Sequence, residues 1–337
     1  MSRIAIIVPN WNGVDSLGKC LDSLKHQGAK IIVVENGSSD GSLDFLKKNY
    51  PDVELIINDR NKGFVAVNQG IAKAMEDGMD YVALFNNDAV ADKDWLKHLV
   101  SYMDDHTEVG LATCKFIKMD KKSLDSTGDM YTVWGLPYPR GREETDLDAY
   151  DNQREVFGCS GGASIYRVEM LKEVGLFDED FFAYFEDVDL SFRAQFKGWK
   201  AAYVPEARAY HEIGATSAKI KGFNRYHSTK NFIWLFYKNV PRKYFGIVGR
   251  RFLLVFFLIT IRAVLKGDVV YLGKGLFRSI RLLPKKHRER QEIQSGKQVT
   301  DEYIWSIITH DLPPSAAALR TLRSIYWRLR RKNQWQK

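Results

Sequence analysis

Four short apolar runs near the start of the chain limit its architecture more than any other feature. They are residues 3–8, Ile31–Val34, Val53–Ile57 and Tyr81–Phe85. Each is rich in Ile, Val or other apolar residues, suits a strand buried on both faces, and stops abruptly at a polar loop. Between the runs the pattern turns helical. Leu17, Cys20, Leu21 and Leu24 recur on one face, with Asp15 or Ser16 as the expected N-cap. A second helix is expected from about Leu43 to Lys48 and a third running to Met79. Strands alternating with helices predict an α/β fold with a doubly wound, mostly parallel sheet. Right-handed crossovers would then gather all four strand ends on one edge.

The polar loops therefore carry the functional information. Tyr81–Phe85 runs into Asn86-Asn87-Asp88, which places Asp88 outside the carboxyl end of a strand, where a charged ligand or a metal ion can reach it. The second run ends in Glu35-Asn36-Gly37-Ser38-Ser39-Asp40-Gly41-Ser42. Its carbonyl and carboxylate oxygens can accept from the imide of a pyrimidine, and its hydroxyls can bond a ribose. Asp40 also reads as a plain turn and helix cap. Pro9-Asn10-Trp11-Asn12-Gly13 and Asn61-Lys62-Gly63-Phe64 read equally as turns or as ligand loops. Three such loops at consecutive strand ends ahead of Asn-Asn-Asp favour the second reading.

The middle of the chain holds a second chemical centre. After a strand expected at Val109–Ile117, residues 120–155 are polar and turn-rich. They read as a hairpin or mobile loop over the site, with Trp134 to Pro139 as an aromatic lip, or as a surface excursion. Gly161-Gly162 permit close backbone approach to a ligand or to a packed helix. The aromatic run Phe181–Phe185 leads into Glu186-Asp187-Val188-Asp189, where a helix starts. Acids in a first turn are favoured by the helix dipole alone. The aromatic run would also bury them, and a buried carboxylate can serve as a general base. Asp189 stands four residues before Arg193 and is expected to cap the helix or to pair with that arginine. A strand at Tyr203–Tyr210 leads to His211.

The charge is divided unevenly. Residues 221–337 hold 25 Lys and Arg against 6 Asp and Glu, leaving 25 against 36 in the first 220. A basic tail of this kind suits an anionic membrane surface or a packed, solvated helical face. Nothing in it resembles a nucleic-acid-binding module. Phe252–Ile261 is too short to span a bilayer, so it is expected in a buried helix or one lying in the interface. Leu319, Leu322, Tyr326 and Leu329 recur at helical spacing among arginines. Three widely spaced cysteines, Cys20, Cys114 and Cys159, argue for reduced thiols. The chain enters its first strand without a signal-like segment, which places the expected catalytic part in the cytosol.

Ile7–Gly13, Val33–Ser42, Asn61–Phe64 with Asn68, and Leu84–Asp88 together resemble family 2 glycosyltransferases of the GT-A fold, in particular their bacterial rhamnosyltransferase-like branch. The resemblance covers roughly the first 215 residues. It departs from the family at Glu35, where Asp is usual, and in having Asp88 as the only acid of its Asn-Asn-Asp motif. It implies an inverting transferase that uses a nucleotide-sugar, dTDP-rhamnose or a UDP-hexose, and a divalent metal, Mn²⁺ or Mg²⁺. The implied donor residues are Pro9, Asn10, Asn12, Glu35, Asn36, Ser38, Asp40, Asn61, Gly63, Phe64, Asn68, Asn86, Asn87, Asp88, Gly161 and Gly162. Asp88 and His211 would hold the metal, Asp187 would be the base, and Glu186 and Trp134 would face the acceptor. The implied acceptor is a glycan or a lipid-linked sugar of cell-surface polysaccharide assembly.

The expected organisation is a catalytic domain over 1–218, with a donor half at 1–105 and an acceptor half at 106–218. A basic helical extension follows over 219–337, its part from 245 onward docking peripherally on the inner face of the cell membrane. A sugar-phosphate nucleotidyltransferase would share the core but needs a Gly-rich basic loop near the N-terminus. A non-catalytic nucleotide-sugar-binding protein would need no base.

Overall fold

A computed structural model describes residues 2–212, 220–314 and 316. The four apolar runs are strands β1 (Ile4–Asn10), β2 (Lys30–Glu35), β3 (Glu54–Ile57) and β4 (Tyr81–Phe85), with helices α1 (Val14–Leu24), α2 (Ser42–Asn49) and α3 (Val67–Glu76) between them. The short β5 (Ala89–Ala91) and helix α4 (Trp95–Asp105) follow, then β6 (Val109–Lys118), β7 (Leu124–Ser126), β8 (Asp129–Tyr131), β9 (Pro137–Pro139), β10 (Glu155–Val156) and β11 (Ala163–Arg167). Helices α5 (Val168–Val174) and α6 (Glu186–Phe196) precede the long β12 (Lys200–His211). Five more helices complete the described chain: α7 (Phe223–Asn239), α8 (Phe245–Leu265), α9 (Val269–Arg281), α10 (Leu283–Ser295) and α11 (Asp301–Ile307).

Among the described residues, ten strands form one sheet in the order β10-β12-β6-β11-β4-β1-β2-β3, with β5 on β12 and β7 on β6. Strands β1 to β4 run parallel, β11 is antiparallel to both β4 and β6, and β12 is parallel to β6. The carboxyl ends of β1–β4, β6 and β12 and the amino end of β11 therefore share one edge. Strand order reverses between β1 and β4, the kind of crevice in which α/β sheets bind ligands.

The apolar runs are continuous because both sheet faces are covered. Ile6, Val8, Val33, Ala83 and Phe85 pack with α1 and α4 on one side. Ala5, Ile7, Ile32, Val34, Val82 and Leu84 pack with α3, α5 and α6 on the other. A third core joins Val188, Phe192 and Phe196 of α6 to Trp234 and Leu235 of α7, Phe252 of α8 and Ile304 of α11. Packing thus joins the two sides of the boundary expected at 218/219, which itself falls among residues outside the description.

Two local expectations need correction. Helix α1 begins at Val14, so Asp15 and Ser16 lie inside it, and the Val14 N–H donates instead to Asp40 Oδ2 at 2.9 Å. Residues 120–155 are neither a mobile loop nor a plain surface excursion. The buried Lys115 Nζ holds Asp148 and Asp151 at 2.6 and 2.7 Å, and the buried Arg140 bonds Thr127 and the Glu155 carbonyl. Those polar residues are partners of buried cations, which hydropathy reads as solvated. The Phe252 run extends into the 21-residue α8, yet none of the described helices is long and apolar enough to cross a membrane. The periodic stretch around Leu319–Leu329 lies outside the described residues.

Candidate active site

A cavity of about 550 Å³ opens where the strand ends meet, and both Asp88 and Asp187 line it. So do Pro9, Asn10, Asn36, Asn61, Gly63, Phe64, Asn86, Asn87, Gly161, Gly162, Glu186 and His211. Side chains tie the crevice together. Asn87 Nδ2 donates to Asn10 Oδ1 at 2.7 Å, bridging β4 to β1, and Asn36 Nδ2 donates to the Gly63 carbonyl at 2.9 Å. Gly63 sits at φ 81°, and a Cβ there would lie 2.2 Å from the Phe182 carbonyl oxygen, so this contact requires glycine.

Five expected donor residues do not line the cavity. Glu35 is buried, with Oε2 accepting from Asn10 Nδ2 at 2.6 Å and Oε1 from the Ser38 N–H at 2.7 Å. Ser38 Oγ accepts from the Asn12 N–H, and Asn12 Oδ1 accepts from the Ser39 N–H. Asp40 caps Ser42 and Val14. Asn68 makes a two-point bond to the Phe177 backbone. These polar groups fix the loops that carry the lining residues. Trp134 is also misplaced as an acceptor residue. Its ring lies beside the Arg251 guanidinium, 5.8 Å from centroid to Cζ, and packs against α8. From the expected aromatic lip, Pro137, Tyr138 and Pro139 line the cavity instead.

Asp88 and His211 meet because β12 pairs with β5, placing His211 opposite Ala89. His211 Nε2 is 3.1 Å from Asp88 Oδ1, and Nδ1 is 2.7 Å from Asp125 Oδ2. Burial would lower the imidazole's pKa, but the two carboxylates prevail and hold it up at about 9. A carboxylate and an imidazole facing one cavity, the imidazole oriented by a further carboxylate, is a donor set that Mn²⁺ accepts. A second acidic cluster, Asp178, Asp180 and Glu289, does not fit a metal as well. Its carboxylates are already bonded by Lys238, Lys285 and Lys286.

Asp187 accepts from the Gly161 N–H at 3.1 Å and from the Val188 N–H at 2.9 Å. Burial raises its pKa despite these bonds. Glu186 and Asp129 stand near it, and burial followed by the Asp187 charge pushes both carboxyls well above the ordinary range. Glu186 Oε2 has no hydrogen-bond partner among the described residues. Asp129 escaped the sequence reading because it sits in the polar stretch taken for a surface loop. Asp189 points away from the cavity and pairs with Arg193, as expected, and with Lys238.

The segment leading to Asp187 is strained. Phe182, Tyr184 and Phe185 have φ of 66°, 72° and 71°, a left-handed conformation that costs a non-glycine residue about 1–2 kcal/mol. All three side chains wall the cavity, together with Phe223 and Asn224 of α7.

The sequence matches the family model described as "Glycosyltransferase like family 2" over residues 2–227. The chain is 25% identical over 248 residues to the dTDP-rhamnosyl transferase RfbF of Shigella flexneri, covering 71% of this chain and 81% of that protein. It is 29% identical over 204 residues to the N-acetylglucosaminyl-diphospho-decaprenol L-rhamnosyltransferase of Mycobacterium tuberculosis, covering 54% of this chain and 66% of that one. Its fold is similar to that of the mannosyltransferase PcManGT from Pyrobaculum calidifontis in complex with GDP-Man and Mn²⁺, with a TM-score of 0.52 at 15% identity over 91% of this chain and 86% of that one. S. aureus TarS 1–349 in complex with UDP-GlcNAc gives 0.53 at 16% identity over 87% and 88%.

Proposed function

The chain belongs to glycosyltransferase family 2 and is a GT-A-fold glycosyltransferase; from that premise we propose that it transfers rhamnose from dTDP-rhamnose, with inversion, to a lipid-linked acceptor at the inner face of the cell membrane. One observation carries the reading: Asp88 and Asp187, 99 positions apart in sequence, line a single cavity. The family places sugar transfer above nucleotidyl transfer, and the buried base candidate argues against a mere binding protein.

Asp187 takes the proton of the acceptor hydroxyl. That oxygen attacks the anomeric carbon as the bond from the carbon to the diphosphate oxygen breaks, and the electron pair leaves on the nucleoside diphosphate. A single displacement inverts the carbon. Asn10, Asn36, Asn61 and Asn87 offer neutral amides to the nucleotide and sugar. Asp88 and His211 would hold a divalent cation, Mn²⁺ before Mg²⁺ because of the imidazole. Bound there, such an ion neutralises the charge that develops on the leaving diphosphate. Incubation with dTDP-rhamnose, UDP-hexoses and GDP-mannose in Mn²⁺ should show slow donor hydrolysis, fastest with dTDP-rhamnose. Equal or faster turnover of a UDP-hexose would exclude rhamnose as the preferred sugar.

The membrane part of the proposal rests on α8 and α9. Leu253, Leu254, Phe257, Ile261, Val264 and Leu265 are exposed along one face of α8, as are Val269, Val270, Phe277 and Ile280 along α9. An apolar patch this continuous is unusual on a free surface. Between 245 and 285 eight residues are Lys or Arg and only Asp268 is acidic, which suits anionic headgroups. The patch also adjoins the cavity. Gly222 lies against the Tyr271 ring of α9, and its neighbour Phe223 lines the cavity wall. An acceptor anchored in a bilayer could reach the base from that side. Flotation with phosphatidylcholine vesicles should require added phosphatidylglycerol and weaken with salt. The double variant Leu253→Glu, Phe257→Glu alters exposed residues only and should abolish it. Undiminished flotation of that variant would remove the docking surface. Removing α8 and α9 altogether is a poor test, because Val248, Phe252 and Leu272 are buried.

A further inference from the structure

We propose that Lys230 and Asn231 of α7 are positioning residues for transfer, clamping the backbone arch 181–185 so that Asp187 is presented to the cavity. This rests on the reading of Asp187 as the base and adds a part that none of the donor loops supplies. Asn231 is fully buried, and its Nδ2 lies within hydrogen-bond distance of three carbonyls of the arch, those of Phe181, Ala183 and Tyr184, at 3.1, 2.8 and 2.8 Å, so its two N–H donors are shared among three acceptors. Lys230, 2% exposed, donates to the Asp180 and Phe181 carbonyls at 2.8 and 2.7 Å and to Asn231 Oδ1 at 2.6 Å. The ammonium thereby fixes which way the Asn231 amide faces: oxygen toward the cation, nitrogen toward the arch. Its three donors have three oxygen partners, and the Trp234 ring lies 4.6 Å away.

The arch needs such a clamp. Three of its five residues, Phe182, Tyr184 and Phe185, are left-handed without being glycine, and the backbone turns so that the Phe181, Ala183 and Tyr184 carbonyls converge on α7. Converging carbonyls repel unless a donor sits between them, and α7 places two side chains there from adjacent positions. The free side of the arch serves the site. The Phe182 carbonyl accepts from the Phe64 N–H at 2.7 Å, the Phe182 ring stacks on His227 at 4.9 Å, and the Phe185 carbonyl accepts from the Asp189 N–H in the first turn of α6. The chain from α7 through the arch to that first turn sets where Asp187 stands.

Asn231→Asp keeps the size of the side chain and replaces the donor with an acceptor. Turnover of dTDP-rhamnose, or of the UDP-hexose that the native protein prefers, should fall about a hundredfold, the scale of a small misplacement of a reacting group. Donor affinity by calorimetry should fall far less than turnover, within about threefold, because among the described residues only the Phe64 N–H bond joins the arch to the donor loops. Lys230→Met, which removes the ammonium while keeping an unbranched stem, should act in the same direction, and Lys230→Arg should restore part of the rate. It also supplies the comparison should Asn231→Asp not fold, as judged by thermal melting. Native turnover in Lys230→Met and Asn231→Asp overturns the proposal, as does an equal loss of turnover and donor affinity, which would mark a general structural role. Asp187→Asn, assayed alongside, separates the two readings. If it is inactive while the α7 variants are active, only the clamp fails; if it is active, the base assignment fails and the clamp with it.

Discussion

Asp187→Asn should lower transfer by about 10²- to 10⁴-fold, the usual contribution of a positioned general base, while donor binding stays near native. The asymmetry follows from the site. The carboxylate sits at the start of α6, held by the Gly161 and Val188 N–H groups, whereas the amides that face the donor come from the ends of β1, β2 and β4. An amide at 187 keeps an oxygen for one of those two N–H groups and cannot take a proton from a hydroxyl. Initial rates and calorimetric donor binding, measured on the same preparation, test this directly. Transfer at the native rate would show that Asp187 is not the base.

The same group sets a pH dependence. Only the carboxylate form of Asp187 can accept a proton, and burial raises its pKa. Turnover should therefore rise with pH through a value above the ordinary aspartate figure of about 3.9, and fall about tenfold per unit below it. Glu186 and Asp129 crowd the same space and are also pushed upward, so acidic solution protonates the whole group. An acid limb at or below the ordinary aspartate value would place the base elsewhere.

Much of this was legible in the sequence because buried parallel strands leave an unmistakable pattern. Ile4–Val8, Ile32–Val34 and Tyr81–Phe85 are apolar on both faces, and the loops that interrupt them must lie at a sheet edge. The convergence of Asp88, His211 and Asp187 follows from strand direction once β11 is seen to run antiparallel between β4 and β6. What stayed hidden was the division of labour among polar residues. Glu35 and Asn10 are equally polar in sequence, yet Glu35 spends one oxygen on its own loop and the other on Asn10, while Asn10 lines the cavity. Asn68 looks like a ligand and is a backbone brace for Phe177.

Residues 120–155 show the opposite failure. Their charge density suggests a solvated loop, but Lys115 and Arg140 are buried and draw acceptors inward, bringing Asp125 against His211 and Asp129 toward Asp187. Those partners come from distant strands, so hydropathy along the chain carries no trace of them. The sequence pattern likewise could not separate Trp134 from Tyr138: both belong to one aromatic cluster, and only the hairpin of β8 and β9 decides which faces the cavity.

Removing the carboxylate at Asp88 should have an effect as large as removing the base, through a different property. Asp88→Asn keeps the shape of the side chain at the end of β4 and loses the negative charge beside His211 Nε2. Calorimetric titration with Mn²⁺ in the presence of the nucleoside diphosphate should show metal affinity falling by at least about tenfold, and turnover should no longer respond to added Mn²⁺. Asp125→Asn should give a milder version, since Asp125 orients the imidazole from the far ring nitrogen and offers the cavity no direct ligand. Asp180→Asn is the control: its carboxylate belongs to the lysine-bonded cluster, so Mn²⁺ binding there should be native. Metal affinity that survives Asp88→Asn and collapses in Asp180→Asn would move the cation from the strand edge to the helical side of the molecule, and the role assigned to Asp88 would go with it.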